Sequence, residues 1–217
     1  FKCAWSSDVC SSDLSVEIIP PHALIHDFLN DAERAQVWDF TLAHAGDFQD
    51  SGVHEAPDQR GSPYGLRRSR VLDGPANGVL AGMVLPKLQA LLPGLWARWR
   101  VKPMRLETLE CQVTAHGDGD FFAVHTDDGL PEIAHRRLSY VYYFHREPKR
   151  FSGGHLCLYN TAFESGYGAC GRLAADIDPP GNGLMLFPTF IFHEVTPIRC
   201  ASTALADQRL TLNGWLF

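Results

Sequence analysis

The spacing of apolar residues changes character near residue 102. Before it, apolar residues recur at helical intervals. After it, they form short runs rich in β-branched and aromatic residues, separated by turn-forming residues. Helices followed by strands, with no βαβ alternation, predict an α+β fold with an antiparallel sheet or barrel. Because many short strands must protect their edges, the pattern favours a double-stranded β-helix, or jelly roll.

The predicted elements form a single domain from about residue 15 to 217. Helices that support the sheet are expected at about residues 30–93, and the jelly-roll core at about 103–217. The clearest strands of that core are predicted at residues 105–115, 138–144, 155–159, 183–190 and 210–217.

Two helices are predicted in the first half of the chain. The first covers residues 31–45 and follows a capping-box-like pair, Asn30 and Glu33. The second begins near Pro75 and is expected to end at Pro93-Gly94, because these two residues are strong helix breakers.

Residues 1–14 are expected not to belong to the native protein. The segment from Trp5 to Leu14 reads WSSDVCSSDL, and a DNA sequence that encodes it resembles the fixed adapter of short-read sequencing libraries. Agreement over the whole of this segment is not expected by chance, so it is set aside as a fusion scar would be. The native N-terminus is then expected to lie outside this sequence.

The composition excludes several classes of function. The 217 residues carry a formal net charge of −6 at pH 7, so no basic face for nucleic acid is expected. No apolar run approaches the ~20 residues that span a bilayer, and no membrane partner is expected. No signal peptide is visible. The cysteines beyond residue 14 include no Cys-x-x-Cys pair, which argues against a zinc knuckle and favours a reducing, cytoplasmic location.

Two histidines and one aspartate stand where predicted strands end. His125 and Asp127 follow the strand-like run Phe121 to Val124, and His193 follows the apolar run Leu184 to Phe187. Residues i and i+2 of a strand face the same way, so His125 and Asp127 can reach one metal ion. Two imidazoles and one carboxylate on a β scaffold form the facial triad typical of non-haem Fe(II) sites.

The His-x-Asp pattern alone carries little information. About one occurrence is expected by chance in a chain with ten histidines, and two rival pairs exist. His116 and Asp118 lie in a Gly-rich stretch that is predicted to be a turn. His145 and Glu147 lie in a charged stretch that is predicted to be a hairpin end in solvent. The pair that follows a hydrophobic strand is therefore preferred.

Five segments of the chain occur in an order that is typical of one enzyme family. In that order they read GDGDFFAVHTD at Gly117–Asp127, YVYYF at Tyr140–Phe144, SGGHLCLY at Ser152–Tyr159, HEVTPI at His193–Ile198 and RLTLNGWLF at Arg209–Phe217. From about Val113 to Phe217 the chain thus resembles the prolyl 4-hydroxylase-type branch of the Fe(II)/2-oxoglutarate dioxygenases.

The resemblance implies a role for each candidate residue. His125, Asp127 and His193 correspond to the iron ligands. Arg209 corresponds to the residue that pairs with the distal carboxylate of 2-oxoglutarate, and Tyr143 to a phenol that donates a hydrogen bond to the same carboxylate.

The resemblance also makes two further residues, Asn213 and Arg199, candidates for the cosubstrate site. Asn213 stands where similar enzymes carry a small hydroxyl residue near the cosubstrate. The stretch from His193 to Arg209 is longer than in the family, with an apparent insertion at residues 199–208. Arg199 is therefore a rival for the carboxylate-binding role, and Arg209 is preferred because it begins the last predicted strand.

The resemblance also implies an activity. The expected reaction is hydroxylation of a C–H bond, with Fe(II), 2-oxoglutarate and O2, release of succinate and CO2, and ascorbate as a reductant. The substrate is expected to be a prolyl or other residue of a protein or peptide, or else a free amino acid or small metabolite. The alternative from another class is a non-catalytic, cupin-like metal-binding protein, in which Arg209 would have no role.

Substrate choice is expected to come from loops around the mouth of the barrel. The candidates are residues 47–70, 129–137, 160–173 and 199–208. The first of these contains four arginines, which indicates either a solvated basic loop or a lid that favours an acidic or peptidic substrate. They are Arg60, Arg67, Arg68 and Arg70.

Overall fold

The computed structural model describes residues 16–51, 66–164 and 167–217. Residues 1–14, which contain the adapter-like segment Trp5–Leu14, and residues 52–65 of the predicted long loop lie outside the described residues. The helices are α1, Asp31–Ala43, and α2, Gly78–Trp99. The strands are β1 Val16–Ile18, β2 Ala23–Ile25, β3 Gln49–Asp50, β4 Arg67–Arg68, β5 Arg70–Leu72, β6 Leu109–His116, β7 Phe121–His125, β8 Leu138–Tyr143, β9 Ser152–Gly153, β10 Leu156–Glu164, β11 Tyr167–Ile177, β12 Gly183–Pro188, β13 His193–Val195, β14 Ile198–Arg199 and β15 Arg209–Leu216.

The strands form two main antiparallel sheets. The larger sheet has the order β2-β12-β8-β15-β6-β5-β3, and the smaller has the order β1-β10-β13-β7-β4, with β11 added beside β10. A short pair of strands, β9 and β14, lies apart from both. Mostly antiparallel sheets with few helices confirm the α+β prediction and its jelly-roll core.

The period-two alternation of the central strands decides which side chains face which layer. On β8, Leu138, Tyr140 and Tyr142 belong to the core beneath the helices. Val141 and Tyr143, whose side chains point to the opposite face of β8, belong to the cluster between the two sheets. Successive residues of a strand point to opposite faces, so Tyr142 and Tyr143, adjacent in sequence, serve different layers.

The first helix begins as the sequence predicts. The Asn30 side chain accepts a hydrogen bond from the backbone N–H of Glu33, and the Glu33 side chain accepts one from the backbone N–H of Asn30. This reciprocal capping box satisfies two backbone donors that a helix start leaves free. The helix ends at Ala43, two residues earlier than the predicted end at residue 45.

The predicted end of the second helix is wrong, because α2 continues through Pro93 to Trp99. Leu95 and Trp96, which follow the proline, are 5% and 4% exposed. An interior proline costs about 3 kcal/mol, and burying two large apolar side chains recovers about 1.5–3 kcal/mol each. The helix stops at Arg100, whose φ of 56° lies in the left-handed region.

Helix α2 is also longer and more apolar than the sequence analysis allowed. Residues 75–99 are apolar enough, by length and composition alone, to cross a membrane. One face of this helix is nevertheless packed in the core beneath the larger sheet, as in the core helix of a globular domain. The buried residues on this face are Leu80, Val84, Leu88, Leu92, Leu95 and Trp96.

The predicted substrate loop at residues 160–173 is wrong as well. Strand β10 extends to Glu164, and β11 begins at Tyr167 and pairs with it as an antiparallel hairpin. The alanines and glycines of β11 gave no strand signal, but pairing with β10 satisfies the backbone hydrogen bonds of this segment. Among the described residues, Cys111, Cys157 and Cys200 carry free thiols.

Candidate active site

His125, Asp127 and His193 come together between the two sheets. His125 ends β7, His193 begins β13, and the two residues are paired across these antiparallel strands. Asp127 follows two residues after His125, and its backbone N–H donates to the carbonyl of Thr189 at 2.9 Å. The Nε2 atoms of the two histidines each lie 3.5 Å from a different carboxylate oxygen of Asp127. Since the three potential ligand atoms lie within 4.8 Å of one another, all three can reach one ion.

Hydrogen bonds fix the tautomers of both imidazoles. His125 Nδ1 lies 2.8 Å from the carbonyl oxygen of Ala123, and His193 Nδ1 lies 2.8 Å from that of Ile191. A carbonyl only accepts, so each Nδ1 carries the hydrogen, and each neutral ring presents the lone pair of Nε2. Burial lowers the pKa of His193 to about 4, which favours its neutral form. Both rings are therefore prepared to bind a cation through Nε2.

Asp127 supplies the negative charge of this group. Burial raises the pKa of its carboxyl, but the adjacent imidazoles and a 2.6 Å hydrogen bond from Ser139 Oγ outweigh that effect and hold the pKa below its usual range. When both rings are neutral, their Nε2 lone pairs face the Asp127 carboxylate, and a cation placed among these atoms would relieve the repulsion. Two imidazoles and one carboxylate form a donor set that fits Fe(II).

Arg209 lies inside the barrel and is 1% exposed. Its Nε donates to the carbonyl of Gly154 at 2.8 Å, and its guanidinium carbon lies 5.2 Å from the centre of the Tyr143 ring. Its Nη2 has no hydrogen-bond partner, and neither has the buried hydroxyl of Tyr143. No carboxylate of the described residues forms an ion pair with Arg209. Leaving a buried cation unpaired is costly, so the site is suited to a ligand that supplies an anion.

One cavity is lined both by the triad and by Arg209, whereas Tyr143 lies beside Arg209 and is not one of the lining residues. Both sheets contribute to the wall of this cavity. The polar side chains that line it are Arg67, Gln112, Thr114, His116, His125, Asp127, Ser139, Tyr140, His193, Arg209, Thr211 and Asn213.

Comparison with known proteins identifies this arrangement. Residues 111–217 match the sequence model of the 2OG-Fe(II) oxygenase superfamily, a segment that contains the triad, Tyr143 and Arg209. This match assigns residues 111–217 to the 2OG-Fe(II) oxygenase superfamily. Membership implies Fe(II), 2-oxoglutarate and O2 as the metal and cosubstrates.

One relative of this oxygenase is similar over most of the chain. It is an uncharacterized PKHD-type hydroxylase of Synechocystis sp., which is 31% identical over 192 residues. The alignment covers 88% of this chain and 61% of the relative. The chain therefore spans about three fifths of the length of that protein.

Solved structures of other oxygenases share the fold at lower identity. A Pseudomonas putida prolyl-4-hydroxylase has a TM-score of 0.57 and 20% identity, over 91% of this chain and 92% of that one. A Trichoplax adhaerens prolyl hydroxylase, solved with a hypoxia inducible factor peptide, has a TM-score of 0.59 and 19% identity, over 91% and 84%. The α-ketoglutarate-dependent epimerase SnoN from nogalamycin biosynthesis has a TM-score of 0.63 and 12% identity, over 92% and 77%.

The oxygenase fold separates the two rival arginines. Arg209 begins β15 and points into the cavity, whereas Arg199 lies exposed on the short strand β14. Asn213, also on β15, lines the same cavity, and its Oδ1 accepts hydrogen bonds from Thr114 at 2.8 Å and Thr211 at 3.1 Å. The amide nitrogen of Asn213 is the donor that remains for a ligand.

The histidines of the two rival pairs are buried, although the sequence analysis expected His116 in a turn and His145 at a hairpin end in solvent; Asp118 and Glu147 are exposed. His116 is the last residue of β6, paired with Arg209 of β15, and is 3% exposed. His145 is 6% exposed and packs edge-on against the ring of Phe151. Local Gly and Pro content gave the wrong answer because cross-strand pairing and packing bury both rings.

His116 is the site residue that the sequence analysis missed. Its Nδ1 lies 3.4 Å from Nη1 of Arg209, and a guanidinium only donates, so Nδ1 accepts. Burial, together with the positive charges of Arg209 and Arg67, lowers the pKa of His116 well below its usual value and keeps the ring neutral. The hydrogen is then on Nε2, a buried donor that has no partner. Only the register of β6 against β15 reveals this contact.

The Ser-Gly-Gly segment positions Arg209, and this gives a first prediction. Gly154 has a φ of +67°, and a Cβ built there would lie 2.6 Å from Cδ of Arg209. We expect Gly154→Ala to displace the guanidinium, to weaken 2-oxoglutarate binding and to lower the unfolding free energy by about 1–3 kcal/mol. Calorimetric titration with 2-oxoglutarate and thermal unfolding measure the two effects.

A matched control for this substitution is Gly46→Ala. No atom lies within 4 Å of a Cβ built at Gly46, and its φ lies outside the positive range. This variant should bind 2-oxoglutarate as the wild type does. Unchanged cosubstrate binding in Gly154→Ala would contradict the proposed dependence of Arg209 on the glycine.

Proposed function

We propose that this protein is a 2-oxoglutarate-dependent hydroxylase that inserts oxygen into a C–H bond of its substrate, with release of succinate and CO2. The observation that carries the proposal is the shared cavity. One part presents two imidazole lone pairs and a carboxylate, and another presents a buried, unpaired guanidinium. The first suits a metal ion, and the second suits the far carboxylate of a dicarboxylate cosubstrate.

The residues of the chain have distinct roles in this proposal. His125, Asp127 and His193 would hold Fe(II), which supplies the redox chemistry that activates O2 when 2-oxoglutarate is oxidatively decarboxylated. Ser139 orients the carboxylate of Asp127 through its 2.6 Å hydrogen bond, and the carbonyls of Ala123 and Ile191 orient the imidazoles. These contacts fix the ligand geometry before any metal binds.

The cosubstrate would be held by donors that lack hydrogen-bond partners within the described part of the chain. Arg209 offers Nη2, Tyr143 its hydroxyl and His116 its Nε2–H. Burial raises the pKa of Tyr143 to about 12, although Arg209 opposes this, so the phenol keeps its proton and can donate. A planar guanidinium pairs with both oxygens of a carboxylate, and the barrel wall keeps water from that contact.

The direct test is formation of succinate from 2-oxoglutarate in the presence of Fe(II), with and without ascorbate. We expect slow, substrate-independent turnover by the wild type, with ascorbate acting as a reductant that prolongs it. A cupin-like metal-binding protein would bind Fe(II) and would form no succinate. Absence of both turnover and 2-oxoglutarate binding would contradict the proposal.

The substrate of the proposed reaction is either a residue of a protein or peptide or a free small molecule. Structural neighbours that are prolyl hydroxylases support the first class. A screen of proline-containing peptides and free amino acids for stimulated succinate formation separates the two classes.

Tyr143→Phe provides a graded test of the cosubstrate site. The substitution removes one hydroxyl and leaves the ring beside Arg209, so we expect about 3- to 10-fold weaker 2-oxoglutarate binding, in keeping with loss of one hydrogen bond of ~0.5–1.5 kcal/mol. Fe(II) affinity should not change. Tyr142→Phe is the matched control, because its hydroxyl contacts Asn182 at 3.0 Å in a different layer. Equal effects of the two substitutions on cosubstrate binding would contradict the role of Tyr143.

A further inference from the structure

A second arginine, Arg67, lines the cavity of the proposed iron site. It lies on β4, directly opposite Phe122 of β7. Its guanidinium carbon lies 4.9 Å from the centre of the Phe122 ring, and that ring stacks on the imidazole of His125 with centres 3.5 Å apart. His125 covers one face of the ring, so sterics place the guanidinium on the other. The ring of Phe122 therefore separates Arg67 from the triad, and a ligand group bound by Arg67 would lie beside the metal position and not on it.

Two arginines near Arg67 serve as comparisons. Arg68 is paired with Asp120 at 3.0 Å. The Nε of Arg67 donates to a neutral acceptor, Ser69 Oγ, at 2.7 Å. Arg70 also donates to a neutral acceptor, Gln208 Oε1, at 2.9 Å, but it is not among the residues that line the cavity. Burial lowers the pKa of Arg67 to about 10, with Asp127 acting in the opposite direction. Asp127 is the one acidic residue among the described residues that line the cavity.

The remaining charges of the loaded site leave Arg67 uncompensated. Asp127 would be committed to Fe(II), and one carboxylate of 2-oxoglutarate would be committed to Arg209. The positive charges of Fe(II) and Arg209 are balanced by Asp127 and the two carboxylates of the cosubstrate, while the histidines are neutral. Among the described residues that line the cavity, no further negative charge remains for Arg67, and an unpaired charge in a partly enclosed cavity is costly.

We propose that Arg67 forms an anion-binding subsite next to the iron site, and that the substrate carries a carboxylate close to the carbon that is hydroxylated. This inference rests on the proposed function, because the charge balance includes the metal and the cosubstrate. A guanidinium held flat against Phe122 keeps its N–H edge available for the two oxygens of a carboxylate. The carboxylate is that of a free acid or that of an acidic residue in a peptide.

The test measures binding to protein loaded with Mn(II) and saturating 2-oxoglutarate, so that Arg209 is already occupied. The first probes are acetate and acetamide, which differ in charge and little in size. The second pair distinguishes the sources of the carboxylate: N-acetyl-L-proline for a free acid, and acetyl-Asp-Pro-amide for an acidic peptide. Dissociation constants come from calorimetry or ligand-observed NMR, in wild type, Arg67→Gln and the control Arg68→Gln.

We expect wild type to bind acetate at least about ten-fold more tightly than acetamide, as a charge-assisted hydrogen bond predicts. Arg67→Gln should lose this preference and Arg68→Gln should keep it, because Arg68 is largely exposed and paired with Asp120. Whichever of N-acetyl-L-proline and acetyl-Asp-Pro-amide binds the wild type more tightly identifies the source of the carboxylate, a free acid or an acidic peptide. Affinity of Arg67→Gln for 2-oxoglutarate should equal that of the wild type.

Three results would overturn the inference. They are a wild type that does not distinguish acetate from acetamide, an Arg67→Gln variant that retains the preference, and a loss of 2-oxoglutarate binding in Arg67→Gln, which would make this residue part of the cosubstrate site. If the Mn(II)-loaded wild type does not bind 2-oxoglutarate, the proposed function fails and this inference fails with it. Normal cosubstrate binding with no anion preference overturns this inference alone.

Discussion

Asp127→Ala should abolish succinate formation and lower the affinity for Fe(II) by more than about 100-fold. Substitution of residues that merely orient metal ligands typically costs 10–100-fold in affinity, and loss of a ligand should exceed that range. The carboxylate of Asp127 is also the one negative charge between the lone pairs of His125 and His193. Metal binding is measured by calorimetry with Mn(II) or Fe(II) under anaerobic conditions, and turnover by succinate release.

The neighbouring Asp128 offers a matched control. It carries the same side chain one position further along and is absent from the group of three that can reach one ion. Asp128→Ala should bind metal and turn over 2-oxoglutarate as the wild type does. Asp127→Asn preserves the side-chain volume and removes the charge, so it tests the same role if the alanine variant does not fold. Metal binding that persists unchanged in Asp127→Ala, Asp127→Asn and His193→Ala would contradict the assignment of the site.

Arg209→Met should raise the concentration of 2-oxoglutarate required for turnover by about 10²- to 10³-fold and leave Fe(II) affinity unchanged. Truncating one partner of a buried charge pair costs about 2–5 kcal/mol, and each 1.4 kcal/mol is a factor of ten. Arg209→Lys keeps the charge and loses the planar fork, so it should fall between wild type and Arg209→Met. Calorimetric titration of Mn(II)-loaded protein with 2-oxoglutarate measures the loss directly.

Arg199→Met is the decisive comparison for this assignment. Arg199 lies exposed on β14, outside the residues that line the cavity, so its loss should not alter 2-oxoglutarate binding. If Arg199→Met weakens cosubstrate binding and Arg209→Met does not, the register assumed across residues 199–208 is wrong. The apo form of Arg209→Met should be no less stable to thermal unfolding than wild type, because the substitution removes a buried charge that has no ion-pair partner among the described residues.

The sequence predicted the elements whose signal is local. The α1 start was correct because the capping box involves only Asn30 and Glu33, three residues apart. The central strands were correct because their alternation of apolar residues appears directly in the chain. Elements that depend on partners were missed. Helix α2 passes Pro93 because Trp96 is buried against the sheet, and β11 exists because β10 lies beside it.

The same division applies to the candidate site. Local spacing was enough to select His125 and Asp127, since residues i and i+2 of a strand face one side. Local composition failed for His116, which follows a strand and precedes glycines, because its contact with Arg209 joins residues 93 positions apart. Arg67 could be read from the sequence only as one of four loop arginines. Its contact with Phe122, the ring that stacks on His125, places it beside the triad, and that contact depends on the pairing of β4 with β7.

The sequence by itself determined the order of helices and strands and the residue types that could hold a metal ion and a dicarboxylate, because these follow from spacing and side-chain chemistry. Only the tertiary structure decided which arginine faces the cavity, which imidazole nitrogens are free, and which buried cation remains without a partner. Burial and cross-strand register settle those questions. Both arise when sheets distant in sequence close around one space, and no local pattern encodes that closure.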